Sequence, residues 1–180
     1  MQRVFLFGML LILLTACANK NQHPSSLEVE LFNTDGDSAG TAKLQEKADG
    51  VKIELDVSGL ESGWHGFHIH EEGTCEGPDF KSAGAHYNPE DMEHGLLNPK
   101  GPHAGDLPNV EANEDGEVKV DVMAPNVTLK EGKNSLLKEG GTALVIHENA
   151  DDGMTQPAGD GGKRVLCGEI QTEQEKKAEE

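Results

Sequence analysis

Apolar and polar residues alternate with a period of two along much of this chain, and that constrains its fold more than any other feature. Leu27-Glu-Val-Glu-Leu-Phe32, Val51-Lys-Ile-Glu-Leu-Asp-Val57 and Val118-Lys-Val-Asp-Val122 carry aliphatic side chains at every second position. Successive side chains of a strand point to opposite faces, so each run buries one face and wets the other, as half-buried antiparallel strands do. Asp35-Gly36, Asp49-Gly50 and Asp115-Gly116 beside them are tight-turn signals. Thr142-Ala-Leu-Val-Ile146 and Arg164-Val-Leu-Cys-Gly-Glu-Ile170 add two more candidate strands, and no segment shows a sustained helical stripe. Aromatic residues make up only 4% of the chain while glycine occurs 22 times. That balance suits short strands and turns better than a helical core. The reading is an all-β domain of about eight strands, a sandwich or a flattened Greek-key barrel.

The two ends lie outside that domain. Residues 1–16 read as an export signal: Arg3 is a minimal basic start, and Val4 to Leu14 is apolar apart from Gly8. The run is too short for a membrane-spanning helix, which needs roughly 20 apolar residues. Leu14-Thr15-Ala16-Cys17 has the residue types of a bacterial lipobox, in which the Cys17 thiol takes a lipid and the chain acquires acyl groups such as palmitate. The expected location is the outer face of the bacterial cell membrane, with Cys17 as the anchor. Residues 17–26 then form a polar tether that includes His23, 27–170 the folded domain, and 171–180 a charged tail. A net charge of −18 argues against nucleic acid or anionic lipid as an electrostatic partner. With Cys17 lipidated, Cys75 and Cys167 remain, as a disulfide in an oxidising compartment or as two thiols.

Two long stretches, 72–104 and 149–163, are rich in Gly, Pro, Asn or Asp and do not fit strands. Loops of that length in a compact domain are usually functional or disordered. The first holds His86, His94 and His103, followed by Asp106; His68 and His70 precede it and His147 lies far downstream. His68 and His70 share one face of a strand. His86, His94, His103 and Asp106 offer three nitrogens and one oxygen, a tetrahedral set that suits zinc. His68, His70 and His147 with a fourth imidazole suit copper. Seven side chains fall one short of two four-coordinate ions, and a shared imidazolate removes the deficit.

Gly66-Phe-His-Ile-His70, Ala85-His-Tyr-Asn-Pro89, His103-Ala-Gly-Asp-Leu107, Val145-Ile-His-Glu-Asn-Ala-Asp-Asp152 and Gly162-Lys-Arg-Val-Leu-Cys-Gly168 resemble, in order, the motifs of the copper/zinc superoxide dismutases. The resemblance spans roughly 27–170. It implies one copper per chain on His68, His70, His86 and His147, and one zinc on His86, His94, His103 and Asp106, with His86 the bridge. It implies a disulfide between Cys75 and Cys167, and Arg164 as the cation that attracts and orients superoxide. It also implies Asp151 as the carboxylate joining a copper-site to a zinc-site histidine. The activity implied is dismutation of superoxide to dioxygen and hydrogen peroxide, with His86 parting from copper to take a proton.

Plainer readings stand beside these. His65 is three residues from His68, an odd offset that turns it to the other face of a regular strand and makes it structural. Arg164 could pair with Asp151, Asp152 or Asp160, and Asp152 reads as a solvated loop charge. Tyr87 stands where relatives often have Phe, and the 148–163 loop is acidic, with Lys163 its lone lysine. The rival function is a non-catalytic lipoprotein that binds copper or zinc on the same fold. Monomer and homodimer remain equally open.

Overall fold

A computed structural model describes residues 24–172. The expected export signal at 1–16, Cys17, the tether as far as 23 and residues 173–180 lie outside the described residues. Nine strands form among those described: β1 (Ser26–Asn33), β2 (Ser38–Lys47), β3 (Gly50–Val57), β4 (Gly63–His65), β5 (Phe67–His70), β6 (Val110–Ala112), β7 (Val118–Ala124), β8 (Thr142–His147) and β9 (Arg164–Ile170). Seven make one curled sheet in the order β5-β8-β9-β1-β2-β3-β7, and β4 pairs with β6. Every strand pair is antiparallel. The count exceeds eight because the segment around Gly66 divides: β4 joins β6, while β5 joins β8.

The three alternating runs are β1, β3 and β7. β2 is weakly apolar, and its place comes from its partners: Leu44 opposes Leu27 and Ile53, and Ala42 opposes Val29 and Leu55. These side chains face one interior with Phe67, Ile69, Leu144, Ile146, Leu166 and Ile170, all buried. A smaller buried cluster of Phe80, Ala83, Ala143, Val145 and Cys167 lies on the other side of β8 and β9. β8 is therefore covered on both faces, which is why Thr142–Ile146 reads as a continuous apolar run without alternation. The cover is the 72–104 loop, whose Cys75 is bonded to Cys167 of β9 with Cα atoms 5.7 Å apart.

The domain also extends past its expected end. Gln171, assigned to the tail by sequence, is buried, and its Nε2 donates to the Gly73 carbonyl at 2.8 Å. A short amide side chain next to Ile170 can cap the loop that crosses it, which a composition argument overlooks.

Candidate metal centre

The histidines gather on the outer face of the sheet, under the loops. His68 opposes Val145 and His70 opposes Ala143 across the β5–β8 pair. Residues opposed in an antiparallel pair share a face, so both imidazoles point outward with the smaller cluster. His147 follows Val145 by two and shares that face, where the β8–β9 register shifts. The chain at 86–106 then runs along the free edge of β5. His70 bridges His86, His68 bridges Asp106, and the Ile69 N–H donates to the Gly105 carbonyl at 2.8 Å. Gly105 is needed there, because a Cβ would overlap the Ile69 carbonyl oxygen. The Tyr87 hydroxyl lies 3.0 Å from the carbonyls of both Lys133 and Ser135, a tie to the neighbouring loop that phenylalanine would lack.

This edge arrangement brings two groups together. The ligating atoms of His68, His70, His86 and His147 lie within 4.8 Å of one another, as do those of His86, His94, His103 and Asp106. His86 belongs to both. Its Nδ1 is 2.9 Å from Asp106 Oδ1, and its Nε2 faces the other group. His94 Nδ1 is 3.0 Å from the same oxygen and His103 Nδ1 3.3 Å. The second oxygen of Asp106 accepts the backbone N–H groups of Gly95 and His103. In the first group His70 Nδ1 faces the Gly84 carbonyl at 3.0 Å, which turns its Nε2 to within 3.4 Å of His147 Nε2.

The electrostatics divide the two groups. Burial pushes His70 well below the ordinary imidazole value, His86 down to about 4 and His147 down to about 3, with neighbouring imidazoles adding to the effect. These three rings are neutral at pH 7 and keep a lone pair. Burial alone would also depress His94, but the Asp106 and Asp151 carboxylates outweigh it and raise that ring to about 9. Both carboxyls resist the upward push of burial. Imidazoles hold Asp106 and Asp151 far below the usual carboxylate range, helped by the Gly95 and Gly153 N–H groups respectively.

Asp151 links the groups. Its Oδ2 is 2.6 Å from His68 Nε2 and its Oδ1 3.2 Å from His94 Nε2. Asn109 pins the Asp151 backbone: its Oδ1 accepts the N–H at 2.9 Å, and its Nδ2 donates to the C=O at 2.8 Å. Gly159 packs so closely that a Cβ there would overlap the Asp151 carboxylate. Arg164 donates from its two terminal nitrogens to the carbonyls of Phe80 and Gly84, each at 2.6 Å. The Gly84 oxygen thus serves both Arg164 and His70. Asp151 is occupied with His68, His94 and Gly153, and Asp152 with Thr155 and Met154. Lys163 lies 3.5 Å from Glu148. His65 sits on β4 with its ring nitrogens 2.8 Å from the carbonyls of His147 and Glu61, so neither is free for a metal. The strand break at Gly66, not an odd offset on one strand, separates it from the cluster. Asn109 and the carbonyls of Phe80 and Gly84 escape sequence reasoning, since a backbone acceptor is carried by every residue.

The donor set itself tests whether metals fit. His68 Nδ1, His86 Nε2 and His103 Nδ1 are buried without a hydrogen-bond partner. Unpaired buried nitrogens are costly, and each of these belongs to a residue of one of the two groups. Four donors about 2 Å from a common centre stand about 3.3 Å apart in a tetrahedron. The separations of 2.9, 3.0 and 3.3 Å around Asp106 Oδ1 approach that pattern. Three imidazoles with a carboxylate suit zinc, and four imidazoles suit copper.

Comparison with known proteins gives a consistent result. The sequence profile of the family described as copper/zinc superoxide dismutase (SODC) matches residues 38–170. A superoxide dismutase [Cu-Zn] 2 of Aquifex aeolicus (strain VF5) is 55% identical over 143 residues, 78% of this chain and 84% of that protein. Among solved structures, a double mutant of a superoxide dismutase-like protein from Bacillus subtilis is 46% identical with a TM-score of 0.79. It covers 81% of this chain and 97% of that one. The Cu/Zn superoxide dismutase from Brucella abortus is 31% identical with a TM-score of 0.68, covering 81% and 99%.

Proposed function

The chain belongs to the copper/zinc superoxide dismutase family, and on that premise we propose that it dismutates superoxide at a copper site joined by His86 to a zinc site. Two superoxide ions and two protons give dioxygen and hydrogen peroxide. His68, His70, His86 and His147 would hold one copper per chain. His86, His94, His103 and Asp106 would hold one zinc. When bound, copper supplies a one-electron couple that successive superoxide ions use in opposite directions, while zinc supplies a fixed dication without redox chemistry.

The observation that carries the reading is His86, whose Nδ1 meets the Asp106 group while its buried Nε2 is left unpaired toward the other three imidazoles. No packing role needs a ring placed so. Asp151 fixes the ring orientations: by accepting from Nε2 of both His68 and His94, it turns each Nδ1 toward its own group, where His94 would yield its second proton to a bound zinc. Arg164 is a preset cation. Its guanidinium is held by the carbonyl that also receives His70, so an anion arriving beside the copper-side imidazoles meets positive charge without reorganisation. Proton delivery falls to His86, whose Nε2 takes a proton while Nδ1 stays on the zinc side.

The same proposal places the protein outside the cell, anchored to the outer face of the bacterial membrane through lipid on Cys17. Leu14-Thr15-Ala16-Cys17 supports it. Elemental analysis with a dismutation assay, with and without added copper, tests the function. Wild type should carry one copper and one zinc and show copper-dependent activity. His147→Ala should keep zinc and fold but lose activity. Full metal content without dismutation would replace this reading with that of a metal carrier.

A further inference from the structure

We propose that Gln156 is a positioning residue for the zinc half of the centre, acting through the backbone of His94. Its side-chain amide meets His94 as a neighbouring strand would. Gln156 Oε1 accepts the His94 N–H at 2.9 Å, and Nε2 donates to the His94 carbonyl at 2.8 Å and to the Met154 carbonyl at 3.0 Å. The two residues are 62 apart in sequence and belong to different loops.

The position of His94 makes this clasp consequential. The residue is fully buried, yet it lies in a loop with no ladder partner. Its ring is held at both ends, Nδ1 at 3.0 Å from Asp106 and Nε2 at 3.2 Å from Asp151. A small rotation of the His94 backbone would break both contacts and turn Nδ1 away from the zinc-side group. Asn98 Nδ2 also reaches the His94 carbonyl, at 3.0 Å, but it offers nothing to the N–H. Gln156 supplies that acceptor. It comes from the same loop as Asp151, so one segment grips the ring and the backbone of His94 together. Gly161 of that segment lies against His147, where a Cβ would come within 3.2 Å of the His147 Cβ. The clasp therefore joins the order of the zinc-side loop to that of the loop over the copper-side histidines.

The inference rests on the zinc assignment above, and its test separates the two. The full metal-loaded chain is mixed with excess chromogenic chelator, and zinc release is followed for wild type, Gln156→Ala and Gln156→Glu. Groups that orient metal ligands typically change affinity by about 10- to 100-fold. Gln156 is exposed to solvent, so the low end applies: Gln156→Ala should release zinc about 10-fold faster. Gln156→Glu keeps the acceptor for the His94 N–H but loses the donor, and should fall between. It also serves if the alanine variant does not fold. Copper content should not change. Amide exchange at His94 should speed up in Gln156→Ala. Zinc release at the wild-type rate in both variants, with only a lower melting temperature of the metal-free protein, would overturn the positioning role. If wild type takes up no zinc, the zinc assignment fails instead. The claim for Gln156 then rests on His94 amide exchange in the metal-free chain, and an unchanged rate there would overturn it.

Discussion

Replacing Asp151 by asparagine should damage one of the two metal sites through the proton of its imidazole. The carboxylate receives three N–H groups: Oδ2 faces His68 Nε2 at 2.6 Å, and Oδ1 faces His94 Nε2 at 3.2 Å and the Gly153 N–H at 2.6 Å. It is ionised at neutral pH, because those donors hold it far below the usual carboxylate range despite its burial. An asparagine of the same shape has one acceptor oxygen and one NH2 group. If the oxygen turns to His68, the NH2 meets the donors of His94 and Gly153. If it turns the other way, the NH2 meets His68 Nε2. In either pose one imidazole must become the acceptor and move its proton to Nδ1, the atom that faces its metal group. Groups of this kind are worth about 10- to 100-fold in metal affinity, or about 1.4 to 2.7 kcal/mol. Competition against a calibrated chelator, for copper and zinc separately, measures the loss. A folded Asp151→Asn protein with wild-type affinity for both metals would refute the tautomer argument.

Three further outcomes follow from other parts of the chain. Arg164→Glu should lower the second-order rate with superoxide by about 10-fold or more, and Arg164→Lys by less, since lysine keeps the charge and loses the planar fork; stopped-flow decay of superoxide at full metal loading checks this, and an unchanged rate in the Glu variant would remove Arg164 from substrate guidance. Burial favours a higher pKa for Glu46, but the Leu129 N–H, Lys130 and the Thr128 hydroxyl lower it below its ordinary 4.5. Its contribution to stability is therefore present above that value and lost as the pH falls through the lowered one. Glu46→Gln should cost about 1–2 kcal/mol at neutral pH, and urea melts should show the gap to wild type closing in acid. Cys17→Ser should release the protein from the membrane fraction or leave it unprocessed, and normal processing with membrane retention would refute the lipid anchor.

Much of the fold is a local property of the chain. Alternation at Leu27–Phe32, Val51–Val57 and Val118–Val122 marks β1, β3 and β7 because each strand carries its own face pattern. β2 and β6 were harder to see. Ser38–Lys47 has few large apolar residues, and its place comes from the strands on either side. The division at Gly66 was also hidden. Gly-Trp-His-Gly-Phe-His-Ile-His looks like one strand, and only the competing partners β6 and β8 cut it in two.

What the sequence alone determined is the all-β class, the set of candidate metal-ligating side chains and the family they resemble. Imidazoles in such number and order have few other uses. The tertiary structure decided which atoms of those side chains meet. The pairing of β5 with β8 puts His68, His70 and His147 on one outer face, and the chain at 86–106 along the edge of β5 presents His86 to both groups. It also decided what holds them there: the carbonyls of Phe80 and Gly84 under Arg164, Asn109 on Asp151 and Gln156 on His94. The reason is physical. A side-chain period is written within a few consecutive residues. The approach of loops 40 to 80 residues apart in sequence follows only when distant strands pair, and the backbone groups that meet there are the same in every residue.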